Sequence, residues 1–236
     1  MDVRVTSDFD KFIKDVGRLN KQHVPFAISK TLNDTAFEIR GSEIDVMQSI
    51  FDRPTNFIMK ALRVKKGKKN SPDATVAFNG RLGKDGEAVD KVLLPQIKGG
   101  KRKLKGSERT LRRHGVLGSN ERIVPSRALR LNKHGNITKG LMNKILSNIG
   151  EQSDSSANTP LDKRTTKYIV GEVGGTRGIW SVSGKKQDRW KPVLIFVREP
   201  NYRKRFPFYK TAERVMHKRV GPNFKKAMDF AVRTSR

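Results

Sequence analysis

At 236 residues the chain has length for one sizeable domain or two small ones. Its 51 Lys and Arg against 23 Asp and Glu leave a net charge of +28, a self-repulsion that works against an isolated compact state and that an anionic partner relieves. Zero cysteines exclude disulfides, thiol nucleophiles and thiolate metal sites. No apolar run nears the ~20 residues that span a bilayer, and the N-terminus lacks a basic segment followed by an apolar one. These features give the expectation of a soluble chain made in the cytoplasm, without an export signal and with no membrane partner.

Phe9, Phe12, Ile13, Val16 and Leu19 recur at helical spacing behind a capping pair, Ser7 and Asp10, which predicts a helix over about 8–21. His23-Val24-Pro25 opens a second helix, with Pro set for the first turn and an apolar stripe through Ile28, Leu32, Ala36, Ile39, Val46 and Ile50. Gly41 is a candidate bend, and Asp52-Arg53-Pro54 ends the helix. Phe57 to Val64 and Ala74 to Phe78 then read as short strands, separated by the basic turn Lys65-Lys66-Gly67-Lys68-Lys69.

Residues 79–140 are rich in Gly, Lys and Arg with only brief apolar runs such as Val92-Leu93-Leu94, and read as a long basic arm or insertion. Leu141, Ile145, Leu146 and Ile149 predict a short helix, and 151–166 is a polar linker. A meander of three strands follows: Tyr168 to Val173, Gly178 to Ser183 and Pro192 to Val197. Its turns are Gly174-Gly175 and Lys185 to Arg189. Pro207 starts the last helical region, with Phe208, Ala212, Val215 and Met216 on one face, and the pattern resumes after Gly221-Pro222 with Phe224, Ala227, Met228 and Ala231. The expected fold is a single α+β domain over 1–236, an antiparallel sheet of about four to six strands packed by N- and C-terminal helices.

Signs of catalysis are few. His23, His114, His134 and His217 are scattered, without the i, i+4 pair of a helical zinc site, so neither metal nor cofactor is expected. Gly171, Gly174, Gly175 and Gly178 are not followed by GKS or GKT and fit a hairpin better than a phosphate cradle. Ser181 and Ser183 lack a G-x-S-x-G elbow. The carboxylates are spread along the chain, whereas a metal-dependent nuclease needs several to converge, so a non-enzyme is the expectation.

The candidate functional residues are the cations of the arm: Lys98, Lys101, Arg102, Lys103, Lys105, Arg109, Arg112 and Arg113, which face only Glu108 within their own stretch. Three readings stand side by side: contact with nucleic-acid phosphates through counterion release, docking on an acidic protein surface, and a solvated loop. Residues 79–140 contain no Phe, Tyr or Trp, which argues against base stacking there. Trp180, Trp190, Tyr202 and Phe206 lie in or beside strands, where packing is the expected role. The segment 98–113 is expected to be mobile in the free protein.

Several phrases occur together: Val24-Pro25 leading into AISKTLNDTA (27–36), FDRPTNF (51–57), PDATV (72–76), LRRHGVL (111–117), LNKHGNITKGLMNKILS (131–147) and RFPFYKTAE (205–213). As a set, over about 20–235, they resemble the phage and prophage minor tail protein Z family, also described as tail-completion proteins. The resemblance implies a non-catalytic virion component that completes a tail or joins it to the head connector, in several copies around the tail axis. It implies partners among tail, neck and portal proteins, with packaged DNA a further possible contact. The basic arm and the polar linker depart from the shorter members of that family. The leading expectation is a structural head–tail protein of the virion, and the alternative is a sequence-nonspecific nucleic-acid-binding protein.

Overall fold

The computed structural model describes residues 1–5, 23–81, 88–150, 167–183 and 189–234. The helix expected over 8–21, the linker at 151–166 and most of the turn from Lys185 to Arg189 lie outside them. The fold is α+β with antiparallel sheets, as expected, but the sheet is divided. Where one domain was expected the chain forms two compact units, one from Met1–Gly99 with Arg203–Arg236 and one from Gly100–Tyr202.

The first unit has a three-stranded antiparallel sheet in the order β1-β3-β2, from β1 (Asp2–Val5), β2 (Leu62–Lys65) and β3 (Ala74–Phe78). Helices α1 (His23–Ile50), α2 (Asn56–Ala61), α3 (Val89–Lys98) and α6 (Phe208–Thr234) complete it. The apolar stripe of α1 is buried as the spacing predicts, with Ile28, Leu32, Ala36 and Ile39 in one core with Val76, Phe78, Phe206 and Phe208. The helix runs unbroken through Gly41. Helix α6 likewise continues through Pro222, although proline removes an N–H and crowds the preceding turn, so packing outweighs the local preference.

α1 and α6 run antiparallel in a constant register. Phe26 stacks on Phe230 with ring centroids 5.9 Å apart. Asn223 Nδ2 donates to Thr35 Oγ1 at 3.1 Å, Arg219 Nη2 to Glu38 Oε1 at 2.9 Å, and Phe51 meets Phe206 edge-on at 5.8 Å. The basic turn between β2 and β3 is pinned by Asn33 of α1, whose Nδ2 donates to Gly67 O at 3.1 Å and whose Oδ1 accepts from Gly67 N at 2.8 Å. Only glycine fits there, because a Cβ on Gly67 would lie 2.7 Å from the Asp73 backbone.

The stretch read as a strand from Phe57 is a helix up to Ala61, and β2 begins at Leu62. A short apolar run has no readable period, and the decision is made by Thr55, whose hydroxyl accepts from Ile58 N at 3.3 Å as an N-cap.

The second unit has a four-stranded antiparallel sheet in the order β5-β8-β7-β6, from β5 (Glu121–Pro125), β6 (Lys167–Val173), β7 (Thr176–Ser183) and β8 (Arg189–Arg198). The meander of the last three strands is the expected one. Gly174 and Gly175, both at positive φ, form its first turn. A short ladder of β4 (Gly100–Lys101) with β9 (Asn201–Tyr202) closes the unit where the chain comes in and leaves. Helices α4 (Gly106–Arg113) and α5 (Lys139–Asn148) supply Leu111, Ile145 and Leu146 to a core with Ile123, Ile179, Val193, Leu194 and Phe196. The β7–β8 register shifts after Ile179, and Val193 and Leu194 both reach that core across the irregularity.

The reading of 79–140 as an extended arm is thereby corrected. That stretch holds α3, β4, α4 and β5, and buries Leu93, Ile97, Leu111, Leu117 and Ile123. Its few apolar residues suffice because the elements are short and each gives one or two side chains to a core. Trp180 and Phe206 are buried as expected of packing residues, whereas Trp190 is 45% exposed.

One core position breaks the pattern of its helix. Glu43 lies on the α1 stripe between Ile39 and Met47, is 0% exposed, and neither carboxylate oxygen has a hydrogen-bond partner among the described residues. Burial pushes its carboxyl up to about 8, against the opposing attraction of Arg214. The folded state therefore holds a proton that the unfolded chain releases at its ordinary value of 4.5. Stability is whole below that value and falls as the pH rises through about 8, by about 1.4 kcal/mol per pH unit in between. Urea titrations at pH 6 and pH 9 are expected to show Glu43→Leu gaining on the wild-type chain at the higher pH, and an equal difference at both would show the carboxyl not to titrate in this range.

Candidate docking surface

Within the second unit the basic residues are organised by one buried acid. Glu108 stands in the first turn of α4 with its side chain 0% exposed. Arg102 grips it with two hydrogen bonds, Nη1 to Oε2 and Nη2 to Oε1, both 2.6 Å. The backbone N–H of Lys105 donates to Oε2 at 2.7 Å and that of Ile123 to Oε1 at 3.0 Å. Burial raises the proton affinity of this carboxyl, but Arg102 and the two N–H groups outweigh it and hold the group below the ordinary carboxylate range. The arrangement ties the segment before α4, the start of α4 and the edge strand β5 into one piece.

The eight sequence-derived cations divide by role. Arg102 is the clamp on Glu108. Arg112 binds main-chain oxygens, with Nη2 donating to Ser119 O at 2.6 Å and Gly118 O at 3.2 Å, so it anchors the turn before β5. Lys101 pairs with Glu199 at 2.7 Å. Lys103, Lys105, Arg109 and Arg113 are exposed, and Arg109 and Arg113 stand one helical turn apart on the outer face of α4. Lys98 is exposed at the end of α3, in the first unit, so the eight do not form one surface within one unit.

Other charges escaped the sequence reading. Arg122 of β5, nearly buried, pairs with Glu199, and Lys101 before Arg122 holds that carboxylate below its usual range. Arg177 Nη1 donates to Glu121 Oε2 at 2.6 Å while its guanidinium lies over the Phe196 ring. Lys101, Glu199, Asn120, Arg198 and Asn201 line a polar cleft of about 360 Å³. Arg127, Arg130, Lys133, Lys139 and Lys144 are exposed on the loop after β5 and on α5. A signal for them existed, since no Asp or Glu occurs between Arg122 and Gly150.

The acids Glu108, Glu121 and Glu199 are thus committed to internal partners, and Arg109, Arg113, Arg127, Arg130, Lys133, Lys139 and Lys144 are exposed outside those pairs. Among the described residues no group of three or more His, Asp or Glu is placed to hold a metal ion, and no helix is long and apolar enough to cross a membrane.

Replacing Glu108 by Gln leaves Arg102 without its counter-charge and is expected to destabilise the second unit by about 3–5 kcal/mol. Because the folded carboxyl is depressed, its contribution is whole above the ordinary value of 4.5 and is lost as the pH falls through the lower folded value. Denaturation of wild type and Glu108→Gln between pH 7 and pH 3 checks both statements, the gap narrowing towards the acid end. No protein-family model, no curated protein and no solved structure matches the chain.

Proposed function

We propose that the protein is a structural component of a tailed-phage virion, which completes the tail or joins it to the head connector by docking its basic surface on acidic neighbouring subunits. The observation that carries this reading is the division of charge in the second unit. Among the described residues its acids Glu108, Glu121 and Glu199 are neutralised from within, so the exposed Arg109, Arg113, Arg127, Arg130 and Lys133 present a positive excess to an outside anion. The motif set resembling the tail-completion family points to where such anions are found.

Glu108 ties the segment before α4, the start of α4 and β5 into one piece, so this part of the docking surface is preformed and binding orders little of it. A second reading, sequence-nonspecific binding of nucleic acid, draws on the spacing of Arg109 and Arg113. One turn of helix places them about 6 Å apart along α4, within reach of successive phosphates. The lack of any aromatic residue over 79–140 disfavours single strands for that role.

Imaging of particles from a host carrying phage with this gene disrupted tests the leading reading. Filled heads without tails are expected, restored by the intact protein and not by a chain with Arg109→Glu and Arg113→Glu. Normal infectious particles from the disrupted phage would overturn it.

A further inference from the structure

The two edges of the four-stranded sheet are unlike. On β5 the residues paired outward from β8 are Glu121, Ile123 and Pro125. Glu121 N donates to Gly118 O at 3.1 Å and its carbonyl accepts from Arg112, Ile123 N is taken by Glu108, and Pro125 has no N–H to offer. That edge is closed by α4 and by proline.

The opposite edge, β6, is handled differently. Val173 and Thr176 flank a two-residue turn whose glycines have φ of 57° and 73°, a type I′ hairpin, whose closing pair exchanges both hydrogen bonds. Alternation from that pair directs the N–H and C=O groups of Lys167, Ile169, Gly171 and Val173 towards β7, and those of Tyr168, Val170 and Glu172 away from it. Among the described residues no strand pairs with that side. The strand has seven residues, no proline, and leaves Ile169 37% and Val173 39% exposed, so it lacks most of the devices that protect an edge.

We propose that β6 pairs antiparallel with β6 of a second copy of this chain about a two-fold axis at Val170, extending the four-stranded sheet to eight strands. Because β5 is closed, the edge open on one copy is the same edge on the other, and the contact is self-complementary and ends at a dimer. In this register Val170 faces Val170 of the second copy and Tyr168 faces Glu172, all with their backbone groups aimed at each other. On the opposite face Ile169 stands across from Gly171 of the second copy. A Cβ on Gly171 would have no atom within 4 Å, so the glycine is a hollow that the Ile169 side chain fills, with Val173 of the glycine's own strand beside it and Lys167 across from that valine. Tyr168 and Glu172, opposed on the other face, are placed for a phenol-to-carboxylate hydrogen bond.

The inference stands apart from docking on acidic partners and responds to salt in the opposite sense. Two copies of a chain with charge +28 repel, so added salt strengthens the dimer, whereas it weakens attachment to an anionic surface.

Sedimentation equilibrium of the full chain, over protein concentration and at two salt concentrations, is the test, with amide exchange alongside it. The expected result is a monomer–dimer equilibrium that shifts to dimer in higher salt, with the amides of Tyr168, Val170 and Glu172 slowed as dimer forms. Ile169→Lys and Gly171→Val are each expected to weaken association at least tenfold. The second variant distinguishes the model, because valine favours a strand and its Cβ has no atom within 4 Å in the single copy, so a loss of association with the monomer still folded points to filling of the hollow. A chain that stays monomeric, a dimer indifferent to both variants, or slow exchange of the three amides in the monomer would overturn the proposal.

Discussion

The second unit depends on a carboxylate that has been taken out of water. Moving a charged Glu into the interior costs several kcal/mol, and the site at Glu108 recovers it only because four donors converge on two oxygens. None of the four is interchangeable with solvent. Arg102 brings the segment after β4, Lys105 N the turn into α4, and Ile123 N the outer side of β5, so the carboxylate fixes three pieces of chain at once. The same bond that stabilises α4 removes a free N–H from the edge of the sheet. Stability and protection against unwanted strand pairing are here one interaction.

The charge of the chain is shaped by the same logic. A net +28 is tolerable in a folded state when the acids sit where they cancel the most repulsion, and they do so at element junctions: Glu108 between α4 and β5, Glu199 between β4 and β5, Glu38 between α1 and α6. Cations not needed for those junctions lie on exposed faces and loops, where solvent and salt screen them. The basic surface follows from acids being spent on the interior, and needs no dense run of lysines to create it.

Much of this was legible in the sequence. The 3.6-residue stripe of α1 survives from Ile28 to Ile39 because every member enters one core, and Gly174-Gly175 announces the β6–β7 hairpin because only glycine takes two successive positive φ angles without strain. The failures are of two kinds. Phe57 to Ala61 is too short for a period to show, and one hydroxyl at Thr55 decides its state. The arm failed for a different reason, since Arg102 and Arg112 look like surface cations until Glu108 and the carbonyls of Gly118 and Ser119 are placed beside them in space. Arg122 and Glu199 lie 77 residues apart, and local reading cannot pair them. Glu108 itself was conspicuous as the acid among eight cations, and its isolation was the trace of a buried clamp.

Glu43 runs against all of this and is therefore informative. In a chain with so strong a positive field, a carboxyl should ionise readily, and Arg214 draws it that way. Burial still prevails, which measures how dry the α1 stripe is between Ile39 and Met47. Leucine would fit the pattern of Leu32 and Ile39 and remove the penalty of two unpartnered oxygens. Unlike Glu108, this acid joins no elements and neutralises no neighbour across a junction. Its position makes the first unit firmer when the group is protonated, so the α1–α6 pair loosens with rising pH while the clamp at Glu108 tightens. The two units of one basic chain thus carry buried acids with opposite pH responses, set by whether donors reach the carboxylate.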